Sequence, residues 1–146
     1  MSRAYVYDAG GLTMGDGEIL KDTTRSTGRD ALKKNVQAAI ALAGAIRSTL
    51  GPKGLDKLLI DDDGRTLVTN DGVTVLQTAK VEHPVAKMII GASSLQDKIA
   101  KDGTTSTVIL ASEMLRNAWE LVVQGIHPAV IARGFRMAEQ KIIEEI

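Results

Sequence analysis

At 146 residues the chain has the length of one domain, and its 44% hydrophobic content is enough for a real core. Eighteen basic residues balance eighteen acidic ones and only 3% of the chain is aromatic, which argues against nucleic acid, an anionic membrane surface or a base-stacking platform as partner. Cysteine is absent, which removes disulfides and thiolate metal sites and fits a reducing, cytoplasmic setting; the longest apolar run, Ala38 to Ile46, is far short of the roughly 20 residues that span a bilayer.

Residues 1–25 are glycine-rich and polar, with Tyr5-Val6-Tyr7 and Ile19-Leu20 as the apolar patches. They read as a flexible or extended arm with one short strand. Residues 26–146 carry the periodic patterns. Thr27-Gly28-Arg29-Asp30 has the form of a capping box, with Asp in place of the usual Glu, and Leu32, Val36, Ala39, Ile40, Ala43, Ile46 and Leu50 follow at helical spacing. The first helix is therefore expected over about 28–49, and its small residues Ala38, Ala41, Gly44 and Ala45 suggest contact on more than one face. Thr49-Leu50-Gly51-Pro52-Lys53-Gly54 ends it.

Leu58-Leu59-Ile60 and Arg65 to Thr69 flank Asp61-Asp62-Asp63-Gly64, the signature of a β-hairpin. The acidic triplet lacks the ligand alternation and closing Glu of a calcium loop, so it reads as a solvated turn. Asn70-Asp71-Gly72-Val73-Thr74 then opens a short apolar segment reaching Leu76. His83-Pro84 starts the next helix, whose expected buried face is Val85, Met88, Ile89, Ala92, Leu95 and Ile99.

Asp102-Gly103-Thr104-Thr105-Ser106-Thr107 leads straight into the following helical pattern, Val108, Ile109, Ala111, Leu115, Ala118, Trp119 and Val122, which Gly125 and Ile126 close. His127-Pro128 starts the last amphipathic helix, marked by Ile131, Phe135, Ala138 and Ile142. Neither histidine has a second ligand at metal spacing, so both read as helix-start residues.

The Asp102 segment has the chemistry of a polyanion site. The first N–H groups of a helix lack internal partners and lie at the positive end of its dipole; glycine admits a ligand to the backbone, and hydroxyls add donors. An acid beside phosphate calls for a hard cation between them, which points to Mg2+. Asp, Thr and Ser are equally ordinary capping residues, and this simpler reading stands beside the first. Asn70-Asp71-Gly72-Val73-Thr74 repeats the Asp-Gly-x-Thr order, and three glycine bends in one chain suggest a shared ligand.

These motifs in this order, with His83-Pro84-Val85-Ala86-Lys87 and Ile126-His127-Pro128, resemble the chaperonin family, and within it the group II chaperonins. The resemblance runs from about Ile19 onward. It implies a mainly α fold, the N-terminal half of a helical equatorial ATP-binding domain with one β-hairpin and an extended N-terminal arm, ending at the approach to the intermediate domain. The implied function is the nucleotide-binding part of an ATP-dependent subunit that assists folding in a double ring. Its partners would be other subunits, and unfolded clients would be held by domains outside this chain. ATP or ADP and Mg2+ are the implied cofactors. Leu50, Gly51 and Pro52 would line the pocket, Asp102 would hold Mg2+, and Gly103, Thr104, Thr105 and Ser106 would cradle phosphate. Asn70, Asp71 and Gly72 would border the γ-phosphate, with Asp71 positioning the attacking water. The hairpin resembles the family's stem-loop, which reaches a neighbouring subunit.

Two departures matter. Lys101 stands where the family has glycine, and could offer a cation or obstruct the bend. A second catalytic Asp belongs to a later segment. The alternative function is a divergent or truncated structural or regulatory ring component without turnover.

Overall fold

The computed structural model describes residues 5–8, 24–60, 63–79 and 81–146. Elements follow in the order β1 (Tyr5–Asp8), β2 (Thr24–Thr27), α1 (Gly28–Ile46), a 3-10 turn (Arg47–Thr49), β3 (Lys57–Ile60), β4 (Thr66–Thr69), α2 (Gly72–Thr78), α3 (Pro84–Ala100), α4 (Thr104–Val123) and α5 (Pro128–Glu145). The fold is mainly α, as the periodicity predicts.

Helices α1 and α4 pack along each other, with α3 against both and α2 closing the end. The core is small-residue aliphatic: Ala39, Leu42, Ala43 and Ile46 from α1, Val75 and Leu76 from α2, Ala86 and Ile89 from α3, and Val108 from α4. Alanines at the α1–α4 seam bring the backbones close enough for Ser112 Oγ to donate to the Ala39 carbonyl at 2.9 Å, which satisfies a buried hydroxyl between two helices.

Three expectations about α1 need correction. Ala31 and Leu42 are buried where the spacing points to Leu32 and Ile40, both of which are exposed. The buried stripe is thus turned toward the seam with α4. Ala41, Gly44 and Ala45 face solvent, so the described residues cover α1 on one side only. The capping box does not form: Thr27 makes no side-chain cap, and Gly28 at φ +61 turns the chain between it and the first helical turn. Asp30 is held instead by the Ser26 hydroxyl at 3.0 Å and by Lys34 at 2.8 Å.

In α3 the buried residues are Ala86, Ile89 and Ser93, while Met88, Leu95 and Ile99 are exposed. The helix presents its small residues inward because α4 lies close. Every expected core position of α4 is at least half-buried. Gly125 at φ +98 ends it, its N–H donating to the Val122 carbonyl and the Ile126 N–H to that of Leu121, so the orphan carbonyls of the last turn are satisfied. His127 caps α5 through Nδ1, which accepts from the Ala129 N–H at 3.1 Å.

Strands β3 and β4 pair antiparallel, Leu58 opposite Val68 and Leu59 opposite Leu67. Leu59 packs on the core, and Leu58, Ile60 and Val68 point away from it into solvent. The acidic turn falls partly outside the described residues, since Asp61 and Asp62 are not among them. The parallel pairing of β1 with β2, Tyr5 opposite Thr24 through Asp8 opposite Thr27, is a second sheet that the sequence reading lacks. Its second strand occupies residues assigned above to the arm and the capping box; the rest of the arm lies outside the described residues.

Candidate functional site

Each glycine bend forms for a local reason. After the 3-10 turn, Gly51 takes φ +86 and the chain doubles back, with the Gly54 N–H donating to the Gly51 carbonyl at 2.9 Å and the Leu55 N–H to that of Ser48 at 2.7 Å. A Cβ on Gly54 would lie 2.9 Å from the Thr49 carbonyl carbon and still closer to its oxygen, so only glycine closes this bend. Leu50, Gly51 and Pro52 are left exposed on its outer side.

Asp71 caps α2. Its carboxylate accepts from the Val73 N–H at 3.4 Å, the Thr74 N–H at 3.0 Å and the Thr74 hydroxyl at 2.6 Å, while its own N–H donates to Thr69 Oγ1 at 3.1 Å. The Thr74 hydroxyl, helped by the two backbone donors and opposed by partial burial, holds the Asp71 carboxyl below its ordinary 3.8. The group is therefore anionic at neutral pH, and the stability that its capping bonds supply is lost only as pH falls through that lowered value. Neighbouring Asn70 is exposed.

The bend before α4 contains two left-handed residues, Lys101 at φ 57 and Gly103 at φ 79, on either side of Asp102. Asp102 is exposed and its Oδ1 accepts from the Gly103 N–H at 2.6 Å. No side chain caps α4, because its N-cap is Gly103, so its first-turn N–H groups lack a side-chain acceptor; Thr104 is buried, Thr105 half-buried and Ser106 exposed. Two α3 side chains hold this bend from behind: Gln96 Nε2 donates to the Asp102 carbonyl at 3.3 Å, and buried Ser93 Oγ donates to the Thr104 carbonyl at 3.0 Å.

Gly72 joins the second bend to the third. It is buried, and a Cβ there would sit 3.3 Å from Thr105 Cβ with the Thr105 hydroxyl closer still. The sequence-predicted Asn70-Asp71-Gly72 and Asp102 to Ser106 thus meet through Gly72 and Thr105. The first bend is tied in less closely: its 3-10 turn lies against α4, and Arg47 pairs with Glu113 in the middle of that helix.

Sequence reasoning missed Thr69, Ser93 and Gln96, which orient the site residues, and named Thr74 only as part of a motif. Ser93 carried a signal: it lies four residues beyond buried Ile89, on a face that must be apolar unless its oxygen has a partner.

Comparison with known proteins settles the family. The sequence profile of the TCP-1/cpn60 chaperonin family matches residues 42–146, most of the chain. This chain belongs to the TCP-1/cpn60 chaperonin family. It is 55% identical over 127 residues to thermosome subunit alpha of Archaeoglobus fulgidus, covering 86% of this chain and 23% of that protein. It is 48% identical over 132 residues to thermosome subunit beta of Thermoplasma acidophilum, covering 88% and 24%. Against the thermosome subunit of Methanocaldococcus jannaschii the identity is 49% over 126 residues, covering 86% and 23%. These likenesses place the chaperonin chain in the group II branch, and it spans about a quarter of the length of these relatives.

Within the chaperonin bend, Lys101 is the one non-glycine residue with positive φ among the described residues. It does not obstruct the turn, since its N–H still closes α3 on the Asp97 carbonyl at 2.9 Å, but an L-residue held left-handed stores about 1 kcal/mol. Lys101→Gly is accordingly expected to stabilise the protein by about that amount, seen as a higher urea midpoint at unchanged slope. An unchanged midpoint would show that the bend relaxes around lysine.

The donor set also bears on Mg2+. Among the described residues no three acids or histidines cluster as a protein-only metal site. Exposed Asp102 beside an uncapped helix start fits a cation that takes one carboxylate and completes its shell with water and phosphate oxygens.

Proposed function

We propose that this chain is the nucleotide-binding part of an ATP-dependent group II chaperonin subunit, which assists protein folding in a double ring of subunits in the cytoplasm. The observation that carries the reading is the packing of Gly72 on Thr105, which sets Asp71 and the uncapped first turn of α4 at one place. The N–H groups of Thr104, Thr105 and Ser106, with their hydroxyls, receive phosphate oxygens beside Gly103. Leu50, Gly51 and Pro52 flank the nucleotide, and Asn70 and Gly72 border the γ-phosphate. Asp102 holds Mg2+, which supplies charge neutralisation at the phosphate oxygens.

Asp71 orients the attacking water. Three donors already hold its carboxylate anionic and weakly basic, so it suits accepting a hydrogen bond from water better than removing a proton. This division fits phosphoryl transfer, where placement and electrostatics carry most of the rate. Other copies or homologues of the subunit are its ring partners, and unfolded clients bind domains outside this chain. The alternative of a ring component without turnover draws on Lys101; because that residue adopts the left-handed bend, it gives the alternative little support.

The test is Mg-dependent ATP hydrolysis by the full-length subunit, compared with Asp71→Asn. Asparagine keeps the N-cap, so ATP affinity should stay within about twofold while turnover falls at least about tenfold. Absence of hydrolysis in the parent protein would sink the reading, and unchanged turnover in the variant would remove Asp71 from the chemistry.

A further inference from the structure

The bend that presents Asp102 is gripped on both sides of Gly103 by one face of α3. Gln96 donates to the carbonyl of Asp102 at 3.3 Å and Ser93 to the carbonyl of Thr104 at 3.0 Å. The two side chains lie three residues apart, hence adjacent on the helix surface. Gly103 between them has no side chain of its own to fix its orientation, and the Gln96 side chain is what a Cβ there would meet, with Nε2 at 3.5 Å. Each grip takes a backbone carbonyl and leaves the opposite edge of the bend, with its N–H groups and the Asp102 carboxylate, turned away from α3.

We infer that Gln96, with Ser93 beneath it, is a positioning residue for the metal-holding carboxylate. This rests on the nucleotide site proposed above and adds to it a division of labour. Ser93 is 1% exposed and anchors the start of α4, which fixes the phosphate donors. Gln96 is half-buried and acts on the other side of Gly103, where the flexible Asp-Gly link would otherwise let the carboxylate swing. Partners that orient a metal ligand without touching the metal commonly set its affinity by about tenfold or more. Loss of Gln96 should therefore appear in the Mg2+ requirement before it appears in phosphate binding.

The experiment compares the full-length subunit with Gln96→Leu and Gln96→Met, both good helix formers of similar size, and with Asp102→Ala as reference. ATP binding is titrated at stepped Mg2+ concentrations and again in EDTA, with thermal unfolding recorded in parallel. Expected for both Gln96 variants is a rise of about tenfold in the Mg2+ concentration giving half-maximal ATP binding, with metal-free ATP affinity within about twofold of the parent. If Asp102→Ala removes the Mg2+ dependence and the Gln96 variants keep the parent value, the positioning role is overturned while the nucleotide site stands. Equal weakening of metal-free and metal-bound ATP also overturns it, since Gln96 would then support only the fold. If Asp102→Ala leaves the Mg2+ dependence unchanged, the underlying site assignment fails and this inference goes with it.

Discussion

Asp102→Ala should abolish the Mg-dependent part of ATP binding by the full-length subunit while leaving a weak, metal-free component. Asp102 is the carboxylate that stands between the two left-handed residues at the mouth of α4, next to N–H groups with no internal partner. Removing it leaves those donors, which still attract phosphate, but takes away the group that would let a divalent cation sit among phosphate oxygens without a full shell of water. The expected loss is at least about a hundredfold in affinity at saturating Mg2+, or roughly 2.7 kcal/mol. Asp102→Asn separates the chemistry from the fold, since its oxygen can still accept the Gly103 N–H while the negative charge is gone. Equilibrium dialysis with labelled ATP gives the answer: a parent-like affinity in the alanine variant refutes the metal assignment outright.

The second large effect is expected at Gly72, where one methyl group tests whether two bends must touch. An alanine Cβ would lie 3.3 Å from Thr105 Cβ, with the hydroxyl nearer still, at a buried position. Thr105 can rotate its hydroxyl away, but the Cβ contact survives any rotamer, so α2 and the start of α4 must part slightly. Overpacking of this kind costs about 2 kcal/mol, and the displaced Thr105 hydroxyl is one of the proposed phosphate donors, so ATP affinity should drop at least about tenfold. Adding Thr105→Ala to Gly72→Ala removes the hydroxyl but leaves the Cβ contact, so it should recover only part of the stability and none of the affinity. A Gly72→Ala protein with parent stability and parent binding would mean that the bends act independently.

Both substitutions were identifiable from sequence as to place, though not as to contact. The Asp-Gly-x-Thr repetition marked two helix starts, and the structure has α2 and α4 beginning there. Helix order, the hairpin and the glycine stop at Gly125 were legible for the same reason: each depends on local backbone preference and a short apolar period. What failed depended on neighbours. The α3 stripe read through Met88, Leu95 and Ile99 is apolar and helical in spacing, yet the face that packs on α4 is the one with Ala86 and Ser93, where two backbones come close. Long side chains there would hold the helices apart. The capping box at Thr27 failed because a glycine inside it was free to take positive φ. The pairing of β1 with β2 joins segments remote in sequence, and no periodicity within either one announces it.

The grip of Gln96 was invisible for a related reason. A single amide on a helix says nothing until the bend six residues on is folded back beside it.

Helix α5 has eighteen residues and none of them is buried, although Val130, Met137, Ile142 and Ile143 are more than half exposed on it. Beyond its first turns, where Ile131 and Phe135 share an apolar cavity with Val36 and Trp119, the helix leans on its own backbone and on exposed ion pairs such as Lys141 with Glu145 at 3.1 Å. Among the described residues the outer turns of α5 should therefore exchange their amide hydrogens before those of the aliphatic centre do.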